Sequence, residues 1–592
     1  MACLVAWLVL LAAFHAIYGG FFPNASGRLG HDFAFFLPAY LDGYVWFAKN
    51  GAFAVPWFTP SFCAGVPLFA DPQSGYYSVP QWLTFVVDPV TASYATLLLF
   101  ATLGYFGMYR LCRRVFDVPP ALSILAAGLY FLNAFLPHRL IVGEPSFHAL
   151  PLVPWVAYFL LARTSDRVQS TAYAGLAGAG GIYAVHSGLN VLMIPAALSV
   201  VAVLAVHALR EPWRAETAGR VVLALAVCLG VTASKLVAGA AYLGSVARPA
   251  YTWPGIPDVP NVIRVAALAM FAPSETTMGV AIGRLANAQW AALPHEWAYQ
   301  FSAAPLVAVV AALLFRRSAA IQPTSASRAQ RVAAGIGLAV VVAVPIAFLY
   351  YTPALNRLYT QLPIVGRSAW PMRWLVLYVA LVPLAVVLIL RRSLGGAPRL
   401  AAAFTAATLG ATAVLSFVEP RDYYRQQPYD PRPVLAAHAR FASGEASRHS
   451  IRALGVFTDA AGQATLPLNR NDAFLHGVSS MLCYNPIFGY RLERFPADGL
   501  ALGSVLHADR GRLNFKNPAC YVYPRENGCR PGDHFRTDEI ETLKAFVDYR
   551  PIPFAVPARQ AVANWTSAIS LVGVTAFLLL WAVHGVVRMG RT

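Results

Sequence analysis

Asp32 is the residue that the sequence most clearly marks for acid–base chemistry. It follows His31 in the stretch GRLGHDFAFFLPAY, and apolar and aromatic residues come directly after it. A carboxylate held in partly dry surroundings is costly unless it is paired or used, and a carboxyl with a pKa near the working pH can act as a general base. The alternative is structural, since an aspartate in this place can also cap the helix that follows it.

Three basic residues are placed where they could bind a phosphate. Lys235 lies inside an apolar segment, and Arg367 and Arg373 flank the start of another one, in LPIVGRSAWPMRW. Ionisable groups inside membrane segments are functional candidates, and Arg and Lys bind phosphate oxygens through charged N–H donors. The alternatives are that Lys235 reaches the interface beside a structural partner and that the arginines pair with Glu296 or Asp32.

One loop carries side chains that could bind a divalent cation. The stretch LPHRLIVGEPSFHAL contains His138, Glu144 and His148, whose nitrogen and oxygen atoms suit such an ion. Their spacing follows no established ligand pattern, and loop histidines are usually hydrogen-bonding groups. Glu144 as an acceptor of hydrogen bonds from sugar hydroxyls is therefore the preferred interpretation, and a metal ion is the second.

Other polar and aromatic side chains near the ends of apolar segments could hold a sugar or another acceptor. Aromatic residues in the first long loop could instead form an interfacial belt. The residues predicted to contact the acceptor or the sugar are His31, Glu144, His295, Glu296, Tyr299 and Trp57.

The elements that must position these residues are membrane-spanning helices. Of 592 residues, 58% are hydrophobic and only 12% are charged, against roughly 25% charged in soluble proteins, which excludes a soluble enzyme. The 13% of aromatic residues excludes a disordered chain. About twelve segments approach the ~20 apolar residues that a span requires, near 3–19, 92–110, 119–136, 149–163, 171–186, 189–208, 221–242, 301–315, 332–351, 374–390, 400–418 and 567–587.

The positive charges predict the orientation of these helices. The net charge is +18, and arginines concentrate at every second junction, for example Arg113 and Arg114, then Arg163 and Arg167. Cytoplasmic loops of membrane proteins carry such an excess, so the basic balance indicates membrane topology and not a nucleic-acid partner. We expect an inner (cytoplasmic) membrane protein of bacteria with both termini in the cytoplasm.

The alternate junctions include three long exported segments, about 20–90, 243–300 and 419–563. The last contains 15 of the 27 acidic residues, which predicts a small α+β periplasmic or extracellular domain inserted before the final helix and tail at 564–592, after a transmembrane module at 1–418. Cys520 and Cys529 close a short loop in this domain, so a disulfide is expected in an oxidising compartment. The other five cysteines, Cys3, Cys63, Cys112, Cys228 and Cys483, are expected to be unpaired.

Four stretches in order along the chain resemble the GT-C superfamily of integral-membrane glycosyltransferases, and more closely its bacterial YfhO-type branch. They are GHDFAFFLPAY with the loop WFTPSFCAGVPLFADPQSGYYSVP, then PHEWAYQFSAAPL, LPIVGRSAWPMRW and NRNDAFLHGVSSMLCYNPIFGYRLERF. No Walker A, G-x-S-x-G or H-E-x-x-H motif occurs in the sequence. Many members have two acids close together in the first loop, where this sequence has His31 and Asp32.

The resemblance implies a GT-C-like fold and a polyprenyl-phosphate-linked sugar donor at the outer membrane face. It implies that Asp32 deprotonates the hydroxyl of a glycan or lipid acceptor, which attacks and inverts the anomeric carbon. Arg367, Arg373 and Lys235 would then stabilise the departing lipid phosphate. The alternatives are a non-catalytic lipid or glycan transporter or accessory protein of envelope polysaccharide assembly, and a ligase or polymerase of another fold.

Overall fold

The computed structural model describes residues 1–245, 255–271, 293–314, 325–362, 371–457, 471–481 and 501–589. Within these ranges nine helices are long and apolar enough to cross a membrane. A helix satisfies its own backbone hydrogen bonds, which is what a span in lipid requires. The nine are Ala2–Phe21, Pro89–Arg114, Pro120–Val142, Asn190–Ala208, Ala215–Ser245, Arg328–Leu349, Pro371–Leu394, Pro398–Val418 and Ala558–His584.

The remaining three predicted spans are also helical. Pro145–Leu161 and Ala304–Leu314 are shorter apolar helices, and Arg167–His186 has 20 residues without being one of the nine. The prediction of an α-helical polytopic membrane protein is confirmed, although nine of the described helices, and not about twelve, combine the required length and apolarity. Shorter helices outside the predicted spans lie at Val259–Phe271 and Pro353–Gln361.

Small residues allow the membrane helices to pack closely. Gly178, in Arg167–His186, lies where an added Cβ would be 2.9 Å from the carbonyl oxygen of Ala224 in the helix Ala215–Ser245. Gly181 approaches the sulfur of Cys228 on the same helix to a similar degree. Glycine at such crossings lets backbones approach and gain packing contacts in lipid.

The first long loop is an ordered structure. Its elements are the helix Phe33–Asn50, two antiparallel strands at Phe58–Thr59 and Val66–Pro67, and the helix Val79–Leu83.

The region after residue 419 contains short helices and two three-stranded sheets. The sheets are ordered Val478–Ser480, Ala453–Gly455, Gly503–Ser504, with a parallel first pair, and Ala508–Asp509, Arg512–Lys516, His534–Arg536, which is antiparallel. The helices are Asp422–Arg425, Arg432–Ala442, Asp472–His476, Ala519–Val522 and Ile540–Val547.

The first long loop and the region after residue 419 share one hydrophobic core. Phe33 and Trp46 from the first loop and Phe441 and Tyr549 from the later region are buried in the same cluster. Backbone pairing joins them as well, because Leu29 and Tyr429 form an antiparallel bridge. The predicted modules on the two sides of residue 419 therefore share one continuous core.

The described cysteines include one that the sequence analysis misassigned. Cys520 and Cys529 form a disulfide as predicted, and Cys3, Cys112 and Cys228 are free. Cys63 is disulfide-bonded, contrary to the expectation. Cys63 is buried in the shared core, which is built from segments far apart in the sequence. Sequence spacing therefore does not show whether this cysteine is paired. Cys483 lies outside the described residues.

Candidate active site

Asp32 occupies the position before the helix Phe33–Asn50, yet its side chain makes no capping hydrogen bond. Asp88 shows what a capping aspartate does in this chain, because its carboxylate accepts hydrogen bonds from the backbone N–H groups of Val90 and Thr91. The capping interpretation of Asp32 is therefore wrong. Its side chain is 32% exposed, which leaves the carboxyl accessible from a cleft.

Gly30 and Gly143 allow the backbone around Asp32 to approach residues 141–143 closely. The N–H of Asp32 donates to the carbonyl of Val142, at 3.0 Å. Gly30 lies so close to the backbone of Ile141 and Val142 that an added Cβ would overlap it, and Gly143, at a φ of +105°, is equally close to the backbone of Phe33. Glycine permits both the left-handed conformation and the close approach, so the end of the helix Phe135–Val142 is held against Asp32.

Four buried ionic side chains lie beside Asp32. Arg139 donates from Nη1 to Glu144 and from Nη2 to Glu296, both at 2.7 Å. Arg373 donates from Nε to Glu296 and from Nη2 to Glu144, both at 3.0 Å. Each arginine thus bridges both glutamates, which balances two positive and two negative charges in a site where unpaired ions would be costly.

Aromatic rings enclose the arginines of this four-residue network. The guanidinium carbon of Arg139 lies 5.4 Å from the ring centre of Phe135 and 5.5 Å from that of Phe147. Arg373 lies 5.5 Å from Phe147 as well. The rings exclude water and favour the cations electrostatically.

The surroundings give the three carboxyl groups different proton affinities. Burial, together with the charges of Glu144 and Glu296, raises the pKa of Asp32 to about 7, against the opposing effect of His31 and Arg373. Burial also acts to raise the pKa values of Glu144 and Glu296, but Arg139 and Arg373 outweigh it and hold both below the ordinary value. Asp32 is therefore the carboxyl of the three that exchanges a proton near neutral pH.

Two histidines stand at the edge of the network. Nε2 of His31 is 3.6 Å from Oδ1 of Asp32, and the His31 and His295 rings are 5.8 Å apart. Nδ1 of His295 is 3.0 Å from the hydroxyl of Tyr423. Burial and the charge of Arg139 lower the pKa of His295 to about 4, so this ring is neutral at physiological pH.

Glu144, His295 and Glu296 have ligand atoms within 4.8 Å of one another, a spacing that could suit a cation. However, both oxygens of each glutamate already accept a hydrogen bond from Arg139 or Arg373. A cation there would meet the positive charges of two guanidinium groups and carboxylate oxygens that already accept hydrogen bonds from them. These residues therefore do not fit a resident metal ion.

The alternative cation site in the loop at 138–148 is not assembled. His148 contacts the carbonyl of Pro145 and the hydroxyl of Tyr183, at 2.6 Å from the latter. His138 stacks on Tyr424 with 4.4 Å between ring centres. Neither histidine joins Glu144 in a cluster of ligand atoms within the described ranges.

Lys235 and Trp57 make structural contacts. Lys235 donates to the carbonyls of Phe69 and Asp71 at 3.3 and 3.1 Å, so it fastens the first loop to the helix Ala215–Ser245, and the structural alternative applies. Trp57 packs on Phe69 and Phe554, against the shared core.

The ring of Tyr299 stacks on that of Phe135, with 5.0 Å between the ring centres. Since Phe135 lies against Arg139, Tyr299 supports the network indirectly. Arg367 lies outside the described residues.

A cavity of about 730 Å³, counted with the space at its mouth, lies along the first turns of the helix Phe33–Asn50, which follows Asp32 in the chain. Phe35, Phe36 and Tyr40 form one wall, and Ser146 and His148 form another. Its mixed aromatic and hydroxyl lining suits a ligand with both apolar and hydroxyl groups.

Sequence reasoning gave no role to Arg139, Gln427 or the two glycines. The available signal for Arg139 was an arginine inside the apolar run FLPHRLIV, where a charge requires a partner. Its partner Glu144 is five residues away in the sequence, whereas Glu296 is 157 residues away. Only the folded structure shows that Arg139 contacts both.

Fold and site together define a multi-pass α-helical membrane protein with a buried carboxylate–guanidinium centre. No protein-family model and no curated protein matches the sequence.

Among solved structures, a cryo-EM structure of arabinofuranosyltransferase AftD from Mycobacteria is similar to 72% of this chain, with 15% identity and a TM-score of 0.42. A mutant form of the same protein is similar to 70%, with 14% identity and a TM-score of 0.39. This chain matches 27% of the length of those chains, and likenesses at this level establish neither family nor activity.

Proposed function

We propose that this protein is an inverting glycosyltransferase of the GT-C type. It would move a sugar from a polyprenyl-phosphate-linked donor to a hydroxyl of an envelope glycan or lipid at the periplasmic face. The observation that carries the proposal is the uncapped Asp32 carboxyl, whose pKa is raised to about 7, beside the buried pair of Arg373 and Glu296.

Asp32 would act as the general base. Its carboxylate takes the proton of the acceptor hydroxyl as the acceptor oxygen bonds to the anomeric carbon. The bond from that carbon to the phosphate oxygen breaks on the opposite side, so the configuration inverts and polyprenyl phosphate leaves. A base with a pKa near 7 is both ionised and able to accept a proton at neutral pH.

Arg373 would stabilise the phosphate as its charge develops. Among the residues that the structure describes, its Nη1 makes no hydrogen bond, since the network uses Nε and Nη2. The side chain is 13% exposed, so Nη1 can face a ligand while the other nitrogens keep the guanidinium in place. A preorganised charged donor of this kind favours the transition state over the ground state.

The test compares two aspartates that both precede a helix. We expect Asp32→Asn to lower sugar transfer by at least ~100-fold because the base is lost, while Asp88→Asn keeps full turnover because asparagine caps a helix as well as aspartate does. The assay supplies radiolabelled polyprenyl-phosphate pentoses and hexoses to the full chain in membranes and measures the release of polyprenyl phosphate. Full turnover in Asp32→Asn, or labelled lipid accumulating in sealed vesicles without release, contradicts the proposal and favours a transporter.

A further inference from the structure

Gln427, from the region after residue 419, holds His31 in one orientation. Its Oε1 accepts a hydrogen bond from the backbone N–H of His31 at 3.0 Å and contacts Nδ1 of the same histidine at 2.8 Å. Its Nε2 donates to the carbonyl of Tyr423 at 3.0 Å. Nδ2 of Asn24 also donates hydrogen bonds to the carbonyls of Arg425 and Gln427. These bonds hold the segment that carries Gln427 against the segment that carries His31.

These contacts determine the tautomer of the neutral His31 ring. A backbone N–H can only donate and a carbonyl can only accept, so the amide of Gln427 must present its oxygen to His31 and its nitrogen to Tyr423. The amide oxygen only accepts, so Nδ1 of His31 carries the hydrogen. Nε2 is then left with its lone pair, and it is this atom that lies 3.6 Å from Oδ1 of Asp32.

We propose that His31 accepts the proton that Asp32 takes from the acceptor hydroxyl, and that Gln427 is the positioning residue that keeps Nε2 free to do so. The inference rests on the proposed function and extends it. The proton of the acceptor hydroxyl moves to Oδ1 of Asp32 during glycosyl transfer. It then passes to Nε2 of His31 and from there to water. The His31 side chain is 35% exposed, so water reaches it, and Asp32 returns to its basic form for the next turnover.

Charged and polar groups surround both members of the pair. Asp32 is faced by Glu144 and Glu296, which oppose its ionisation, by Arg373 and His31, which favour it, and by the Tyr423 hydroxyl. His31 is faced by Asp32, Gln427 and the ring of His295. The buried glutamates increase the proton affinity of Asp32, so the water-accessible ring of His31 beside it gives that proton a route to solvent.

The first experiment needs no activity. The full chain, labelled with ¹⁵N-histidine in detergent, is examined by NMR between pH 5 and 9. We expect the Nδ1–H tautomer for His31, with an Nε2 shift that follows the titration of Asp32, and loss of this preference in Gln427→Leu. An Nε2–H tautomer, or an Nε2 shift that is the same in Asp32→Asn, overturns the proposal.

The second experiment uses turnover. His31→Asn keeps an N–H donor towards Gln427 but has no basic nitrogen that could accept a proton, and we expect kcat to fall by about 100-fold with KM unchanged. Imidazole should restore part of the rate of His31→Ala, and Gln427→Leu should lower kcat less than His31→Asn. His15→Asn is the control, because His15 pairs with the Tyr94 hydroxyl away from the site and its loss should leave kcat intact.

The two proposals fail in different ways. A wild-type chain that transfers no sugar from any donor removes the proposed function, and the NMR result alone then decides whether His31 and Asp32 share a proton. An active wild type whose rate is unchanged by His31→Asn removes the proton transfer and leaves the glycosyltransferase proposal intact. A fall in kcat without rescue by imidazole also counts against proton transfer and indicates a structural role.

Discussion

Gly143 and Asp32 touch through their backbones: a Cβ at Gly143 would lie 2.8 Å from the carbonyl carbon of Asp32. Gly143 also has a φ of +105°, which side chains rarely adopt. Since Glu144 follows directly, this contact sets the distance between the proposed base and the network of Arg139, Glu144, Glu296 and Arg373.

Replacing Gly143 should therefore damage the site. We expect Gly143→Ala to lower transfer by about 100-fold, because displacing a reacting group by ~1 Å has that effect, and to cost about 3 kcal/mol of stability. Gly444→Ala is the matched control, since Gly444 has a φ of +107° with open space around it. Activity and thermal unfolding of both variants are compared, and equal losses of activity would contradict the role of the contact.

The rate should rise with pH as Asp32 ionises. Its pKa is raised to about 7, so kcat/KM should increase about tenfold per pH unit well below 7 and level off above it. Glu144→Gln removes a charge that raises this pKa and leaves Arg373 less neutralised, so the midpoint should move to lower pH. A pH profile of both proteins tests this, and a midpoint near 4 in the wild type would contradict it.

The same shift predicts how stability depends on pH. The folded pKa of Asp32 lies above the value of 3.8 for a free side chain, so the folded chain binds more protons than the unfolded chain between about pH 4 and 7. The contribution of Asp32 to the free energy of unfolding is therefore largest below pH 4 and is lost as the pH rises through 7. Melting curves of the wild type and Asp32→Asn should diverge across this window, and parallel curves would refute the shift.

Arg139 should be essential for folding stability. It is fully buried and bridges two glutamates, so Arg139→Met leaves unbalanced buried charge and should cost about 3–5 kcal/mol. Arg432→Met removes a pair with Asp430 in which the arginine side chain is 77% exposed, and it should leave the unfolding midpoint unchanged. Thermal denaturation in the same detergent compares them.

Removal of metal ions should not affect turnover. The carboxylate oxygens of Glu144 and Glu296 accept hydrogen bonds from arginine, so a divalent cation there would have to compete with two guanidinium groups. We expect equal rates with and without EDTA. A rate that EDTA abolishes and Mg²⁺ or Mn²⁺ restores would show that the arginines yield to a cation.

Cysteine labelling tests the orientation in the membrane. Ser447 and Ser165 are both exposed, and the arginine pattern places Ser447 outside and Ser165 inside. A membrane-impermeant maleimide should label Ser447→Cys in intact cells and Ser165→Cys only after permeabilisation. The reverse result would place the region after residue 419 in the cytoplasm and end the proposal of periplasmic transfer.

The sequence alone was sufficient for the local features. A run of apolar residues has one low-energy conformation in lipid, so the helices appear where apolar runs predict them. The disulfide between Cys520 and Cys529 closes a loop short enough to be recognised from spacing. Asp32 became the candidate base from its type and position, because a carboxylate next to apolar residues requires an explanation.

The contacts between distant segments became visible in the folded chain. Arg373 was predicted to bind a phosphate or to pair with Glu296, and the structure shows the pair, while Lys235 holds a loop. Cys63 is disulfide-bonded, which no local spacing in the sequence indicates. Burial, helix packing and backbone contacts such as that of Gly143 decide which buried charges meet, and none of these is a local property of the chain.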